Sequence, residues 1–534
     1  MRLCRIAIAN HSRIADFDIE VRNHLVLVRA NEVGKSSILR CLDLLLGAST
    51  AQLYGTLTSS DLLDPTFPLT IEVDLHDFSD SDRALFPDEI MIAPDSQSEL
   101  LTIRLTAELD DTDAISIQRN APKGGTNRQL SRDQLLGLGW KFLSAASQTR
   151  ELREDRKSAL DHILQAVDLG LEKETFQKVA DSLALTISNS TILNNLRSNL
   201  ADQLSKALPD PLSKGDLTLI PGATAEGDVL SDVHLQVSKG GIARNISEQS
   251  DGMQALFSIT FHDLLSGEAN VFGIDEPEVH LHPTSQRSLA RLLKDRPNQK
   301  IIATHSSDIV SAFDPDYVVV IKRGGVVIQP SAGFLSSEEK LVVNWWVRGR
   351  LEPLTSRRVV AVEGPSDRII VERVAELTGR NLDRLGVSLV DAGGKTALPS
   401  VEKLFGSSGF DIPLSLLIDE DAEIETANRK GLSSTDLQSH SIWVSRTDLE
   451  EEYVRAVGAA DVWAALSAST MFSSNQLSSC TPTGAGGNYT IDDVATFCRS
   501  HKVEAAIIVA EALTKTSASS IASVDGLVTE VAKM

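Results

Sequence analysis

Several apolar runs in this chain stop abruptly on residues that bind phosphate or metal, and that pattern constrains the fold more than any other. Leu25–Val28 runs into Asn31-Glu32-Val33-Gly34-Lys35-Ser36-Ser37, and Val271–Ile274 ends on Asp275-Glu276. Ile301–Thr304 ends on His305, Arg357–Val362 ends on Glu363, and Leu414–Ile418 ends on Asp419-Glu420-Asp421. Short apolar runs without alternation suit strands buried on both faces, the hallmark of parallel sheets covered by helices. Such sheets bind ligands outside the carboxyl ends of their strands, so these polar residues are expected to converge on sheet edges.

The first set reads as a nucleotide site. Backbone N–H groups at the start of a helix cradle phosphates, a lysine reaches the terminal phosphates, and a hydroxyl ligates Mg²⁺. Asn31, Gly34, Lys35, Ser36 and Ser37 fit that loop, which departs from the usual pattern at Arg29, where a glycine normally stands. Asp275 would hold the Mg²⁺ shell, Glu276 would orient the attacking water, and His305 is placed to sense the γ-phosphate. Ser250-Asp251-Gly252 lies just upstream of the Asp-Glu strand, at the start of an expected helix.

The second set reads as a carboxylate cage. Asp367 follows Glu363 by four positions at the start of a helix expected over Arg368–Leu377. Glu363, Asp367, Asp419 and Asp421 offer only oxygen, the donor set of a hard cation such as Mg²⁺ or Mn²⁺. Taken singly, each acidic group could equally be a loop or a helix N-terminal charge.

At 534 residues two or three domains are expected. The 51 basic against 74 acidic residues, a net charge of −23, argue against a broadly basic nucleic-acid-coating surface. Cys4, Cys41, Cys480 and Cys498 show no paired spacing, which suggests free thiols and no zinc site. No run approaches the length of a membrane span and no signal peptide is evident, so a cytoplasmic protein is expected. Ile192, Leu196, Leu200 and Leu204 recur every four positions and place one apolar stripe on a helix.

Phosphate loop, Ser-x-Gly, Asp275-Glu276-Pro277-Glu278-Val279-His280-Leu281-His282-Pro283 and Ala303-Thr304-His305-Ser306 together resemble the ATP-binding-cassette ATPases of the SMC and RecF type. That resemblance implies that Ser250 and Gly252 complete the ATP site of a second copy. Glu363 with Asp367, the segment Asp391-Ala392-Gly393-Gly394-Lys395, and Asp419-Glu420-Asp421 are similar to the TOPRIM domain of topoisomerases, primases and nucleases. The pair in this order resembles the overcoming lysogenization defect (OLD) nucleases, a family that includes the Gabija defence nuclease subunit. The family's later acidic residue and lysine would be Glu450, favoured over its acidic neighbours, and Lys502.

The expected architecture is therefore α/β: an ABC-type (SMC/RecF-like) ATPase domain in two parts, 1–149 and 211–335, around a dimerising helical insertion at 150–210. A Rossmann-like TOPRIM nuclease domain with C-terminal helices would follow over 336–534. The implied activity is an ATP-regulated, Mg²⁺- or Mn²⁺-dependent DNA endonuclease in anti-phage defence. Its implied partners are DNA, copies of itself in a homodimer or homotetramer, and a helicase-like protein. The alternative is an ATP-gated DNA clamp whose TOPRIM domain is not catalytic. A topoisomerase would need a tyrosine-bearing domain, and the four tyrosines give no sign of one.

Overall fold

The computed structural model describes residues 1–28, 35–92, 98–110, 114–124, 127–143, 182–183, 185–207, 211–221, 233–239, 242–245, 248–265, 270–340 and 351–533. They divide into two compact units, Met1–Val327 and Ile328–Met534.

In the first unit the strands are β1 (Arg2–Ala9), β2 (Phe17–Glu20), β3 (Leu25–Val28), β4 (Leu69–His76), β5 (Met91–Ile92), β6 (Glu99–Leu109), β7 (Ile115–Asn120) and β8 (Trp140–Leu143). They are followed by β9 (Leu217–Pro221), β10 (Val233–Lys239), β11 (Ile242–Asn245), β12 (Val271–Asp275), β13 (Gln299–Thr304), β14 (Val318–Ile321) and β15 (Val327–Ile328). An antiparallel sheet runs β2-β1-β4-β6-β5 with β7 on β6, and β11-β10-β9 form a small sheet of their own. The third sheet runs β15-β14-β3-β13-β12-β8. Its inner pairings, β14 to β3, β3 to β13, β13 to β12 and β12 to β8, are all parallel. Every residue of β3, β12, β13 and β14 is buried, which is why these runs lack alternation.

The Lys35–Leu46 helix lies between the two larger sheets, and its Ile38, Leu39, Leu42 and Leu45 share one apolar core with both. Its C-terminal carbonyls would be stranded inside that core without donors. The buried Arg119 on β7 supplies them, donating from Nη1 to Leu44 O (3.2 Å), Leu45 O (3.3 Å) and Ala48 O (2.7 Å). A cation at a helix C-terminus also opposes the negative end of the macrodipole.

Most of the expected insertion lies outside the described residues, but its last helix, Thr191–Ala207, does not. The apolar stripe is split there: Leu200 and Leu204 are buried, whereas Ile192 and Leu196 stay 81% and 42% exposed. The buried end packs on the helices Asp251–Leu265 and Pro283–Lys294.

The second unit is built on β16 (Arg358–Val362), β17 (Val387–Asp391), β18 (Leu414–Asp419) and β19 (Ile442–Ser445), in the order β17-β16-β18-β19 and parallel throughout. Helices from Pro365–Leu377, Leu449–Val457, Ile491–Ser500 and Lys502–Ala512 join its core. The Ser/Ala-rich tail after Thr514 closes that core as the helices Lys515–Ser519 and Ala522–Val531. Glu530 ties the last helix to the sheet through Arg358 (3.1 Å) and Trp443 Nε1 (2.7 Å). The cysteines are all free thiols, and no described helix is long and apolar enough to cross a membrane.

The last helix meets the sheet so closely that a Cβ on Gly526 would sit 2.0 Å from the Trp443 ring. Gly526→Ala should therefore force Trp443 aside and lower stability by about 1–3 kcal/mol, read from the denaturation midpoint. An unchanged midpoint would show that the tail is not part of the core.

Candidate active sites

Parallel register lines up the nucleotide residues at one edge of the first unit. Val28, the last residue of β3, pairs with Thr304, the last of β13, and Ala303 pairs with Asp275, the last of β12. Arg29, Asn31 and Gly34 fall outside the described residues. The helix after them starts at Lys35, with Ser36 and Ser37 in its first turn, on the strand-loop-helix path that a phosphate loop requires. Glu276 leaves β12 with a left-handed backbone, φ 48°, held by its N–H donating to Ala303 O at 2.8 Å. That turn brings its carboxylate to 3.5 Å from His305 Nε2. Asp275, Glu276 and His305 are thus gathered within one chain.

Ser250 stands directly before the Asp251–Leu265 helix and accepts from Met253 N at 3.4 Å. Gly252 lies against the loop after β12: a Cβ there would meet His280 O at 2.5 Å. Only glycine allows that approach. Glu278, in the same loop, was assigned no role from the sequence. Its carboxylate accepts from Thr304 Oγ1 at 2.8 Å and from the backbone N–H of His305.

The second unit gathers its carboxylates in the same way. Glu363 follows β16, Gly364 caps the Pro365–Leu377 helix, and Asp367 in the first turn reaches back to accept from Gly364 N at 3.0 Å. Glu363 Oε1 accepts from Asp419 N at 3.3 Å, and Asp419 Oδ1 accepts from Leu449 N at 3.2 Å. The next residue, Glu450, is almost wholly buried, and Lys502 Nζ lies 3.3 Å from its Oε1. Its second oxygen, Oε2, is buried with no hydrogen-bond partner among the described residues. Glu363, Asp367, Asp419, Glu450 and Lys502, spread over 140 positions of sequence, therefore meet in one place. Asp421 stands at the exposed edge of this group, within electrostatic reach of Glu363 and paired with Lys395 at 2.7 Å. The Asp391–Lys395 segment was noticed in the sequence, but that ion pair was not foreseen.

Electrostatics mark this cluster as unlike an ordinary surface. Burial raises the pKa of Glu363, with Asp367 and Asp421 adding repulsion. Asp367 and Glu450 are raised by burial too, Lys502 opposing the shift at both. Asp419 is pushed up to about 8 by burial and by Glu363, Asp367 and Glu450. Burial works against the Lys502 ammonium, yet Glu450 and Asp419 hold its pKa above the ordinary value. No three His, Cys, Asp or Glu side chains among the described residues form a ready-made ligand geometry. The donor chemistry nevertheless fits a hard cation: oxygen only, one buried oxygen unmatched, and negative charge that only a cation would relieve.

Two family models match the chain. "AAA domain, putative AbiEii toxin, Type IV TA system" covers residues 25–311, more than half of the chain. "Overcoming lysogenization defect protein-like, TOPRIM domain" covers 354–421. The chain is 22% identical over 453 residues to the OLD nuclease of Thermus scotoductus, covering 78% of this chain and 82% of that one. It is 22% identical over 479 residues to the Old nuclease of Escherichia phage P2, covering 82% and 80%. Endonuclease GajA of Bacillus cereus is 23% identical over 238 residues, 39% of this chain and 40% of its own.

The raised Asp419 pKa has a stability consequence with a definite sign. A carboxyl whose folded pKa lies above the unfolded value stabilises the fold below the unfolded pKa, and that contribution is lost as pH rises through the folded one. For Asp419 the window runs from 3.8 to about 8. Without divalent metal, Asp419→Asn should melt with wild type at the acid end and progressively above it towards pH 8. Adding Mg²⁺ or Mn²⁺ at pH 8 should raise the wild-type melting temperature and leave the variant nearly unmoved. A variant that melts below wild type at pH 8 in EDTA would contradict the charge arrangement.

Proposed function

Because this chain belongs to the OLD family of nucleases, an AAA-type ATPase domain followed by a TOPRIM domain, we propose that it is an ATP-regulated, divalent-metal-dependent DNA endonuclease of anti-phage defence. The observation that carries the reading is the buried carboxylate cluster of Glu363, Asp367, Asp419 and Glu450 beside Lys502. A fold gains nothing by burying four like charges with so few donors, so such a cluster points to function. It also weighs against a clamp with a non-catalytic TOPRIM domain.

Glu363, Asp367, Asp419 and Glu450 would hold Mg²⁺ or Mn²⁺, with Asp421 joining once it parts from Lys395. Bound there, divalent ions would supply an activated water and stabilise the leaving oxygen of a phosphodiester. Lys502 keeps its ammonium charged at the rim of the cluster, where it can donate to a phosphate oxygen as negative charge builds in the transition state. In the ATPase domain Lys35, Ser36 and Asp275 would bind ATP and its Mg²⁺, Glu276 would orient water, and His305 would sense the γ-phosphate. Asn31, Gly34 and Ser37 would complete the cradle. Ser250 and Gly252 act on a second copy, and the exposed Ile192 and Leu196 support an insertion that docks on that copy in a homodimer or homotetramer.

The two activities should separate. Glu363→Ala should abolish plasmid nicking while leaving ATP binding intact, and Lys35→Ala should abolish ATP hydrolysis. Lys502→Ala should slow cleavage by roughly 10²–10³-fold, the scale of losing one transition-state donor. EDTA should stop cleavage and zinc alone should not restore it. Wild-type nicking by Glu363→Ala, or full activity in EDTA, would remove the nuclease assignment of this cluster.

Sharing of the ATP site has its own test. Ser250→Ala and Lys35→Ala should each fail to hydrolyse ATP alone and regain part of the rate when mixed, since one composite site then has both halves intact. No recovery on mixing, with both variants folded and oligomeric, would place Ser250 outside the site.

A further inference from the structure

We infer that Glu278 is a positioning residue for ATP hydrolysis, one that fixes His305 opposite Glu276. The inference rests on the proposed nucleotide site and deepens it.

The geometry starts from where backbone pairing runs out. Between β12 and β13 the ladder reaches Asp275 opposite Ala303, and the N–H of Glu276 makes a final rung to Ala303 O at 2.8 Å. Glu276 then turns away with φ 48°, so the regular ladder between β12 and β13 ends before His305. Glu278 fills that place with its side chain: Oε1 accepts from His305 N and Oε2 accepts from Thr304 Oγ1 at 2.8 Å. The same hydroxyl of Thr304 accepts from Ser306 N at 2.9 Å. One carboxylate therefore stands in for a missing rung and clamps Thr304, the last residue of β13, together with His305, while the Thr304 hydroxyl holds Ser306 in turn. A second brace runs beside it, from Ser306 Oγ to Gln286 Oε1 (2.6 Å) and from Gln286 Nε2 to Leu281 O (2.8 Å).

What the clamp sets is the distance between the two side chains that would face the γ-phosphate. His305 Nε2 lies 3.5 Å from Glu276 Oε1, and the backbone positions of both residues help to set that distance. An ionised carboxylate is acceptor-only, which suits two donors arriving from neighbouring residues. Glutamine keeps one acceptor oxygen for the His305 N–H, whereas alanine leaves that N–H and the Thr304 hydroxyl without it.

Steady-state ATP hydrolysis by the full-length protein with Mg²⁺ tests this. Glu278→Ala should lower kcat by at least about tenfold, the scale of a small misplacement of reacting groups, with KM for ATP nearly unchanged. Glu278→Gln should recover most of that loss. Because Glu278 acts through His305, the Glu278→Ala, His305→Ala double variant should be no slower than His305→Ala alone. Additive losses in the double variant, a wild-type kcat in Glu278→Ala, or equal drops in melting temperature and ATP affinity for both Glu278 variants would each overturn the inference. A wild-type rate in His305→Ala would instead overturn the reading of the nucleotide site itself, and this inference with it.

Discussion

Parallel pairing forces the strands of a sheet to end at one edge, and both sites of this protein follow from that. β3, β12 and β13 stop at Val28, Asp275 and Thr304 within a register that sets them side by side. In the second unit β16, β17, β18 and β19 stop at Val362, Asp391, Asp419 and Ser445, with Val362 opposite Asp391 and Asp419 opposite Ser445. Residues far apart in sequence become neighbours without any contact designed to join them. The burial of these strands on both faces supplies the rigidity a site needs, since a displaced strand would expose a continuous apolar run.

Carboxylates in the second unit divide into two kinds, and the contrast separates structure from chemistry. Glu452 accepts from Arg446 N (2.8 Å) and Ser523 Oγ (2.7 Å), joining the loop after β19 to the C-terminal tail. Asp493 is held down to about 2 by backbone and hydroxyl donors from Thr483 and Thr490. Both groups are matched by donors, and those at Asp493 favour its anion. Glu363, Asp367, Asp419 and Glu450 have too few donors for their burial, and each is shifted upward. A buried cluster this poor in donors costs stability, which on physical grounds makes it a candidate functional site.

The sequence made the strand ends legible because the apolar runs there are short, unbroken and followed at once by Asp275, Glu363 or Asp419. Lys502 and Glu450 were reachable only through family resemblance: a lone lysine or glutamate on a helix carries no local signal of the partner 52 positions away. The strand order β2-β1-β4-β6 of the antiparallel sheet was not legible either, because alternation reveals a strand but not its neighbour. The tail escaped for a compositional reason. Its small residues lack the bulk that marks a core helix, yet smallness is what lets Gly526 lie against Trp443. The stripe from Ile192 to Leu204 was legible as a helix but not as half exposed, since periodicity says which face is apolar and not what covers it.

The loops that leave the strands carry the remaining strain. Glu276 after β12 and Thr447 after β19 both adopt positive φ, 48° and 65°, a conformation that costs a non-glycine residue on the order of 1 kcal/mol or more. Each is fixed by a hydrogen bond from its own N–H, Glu276 to Ala303 O (2.8 Å) and Thr447 to Glu420 Oε2 (2.9 Å). After β17 the same turn falls on Gly393 and Gly394, where φ of 83° and 118° carries no such cost and Gly394 N donates to Glu363 O at 2.8 Å. The strained turn at Glu276 aims a side chain that glycine could not provide, presenting its carboxylate to His305, and the turn at Thr447 leads into the helix that carries Glu450. The glycine turn aims backbone instead, bracing Glu363 and delivering Lys395 to Asp421. At Glu276 the site uses a side chain and at Gly394 a backbone N–H, and that difference decides which of the two turns can be glycine.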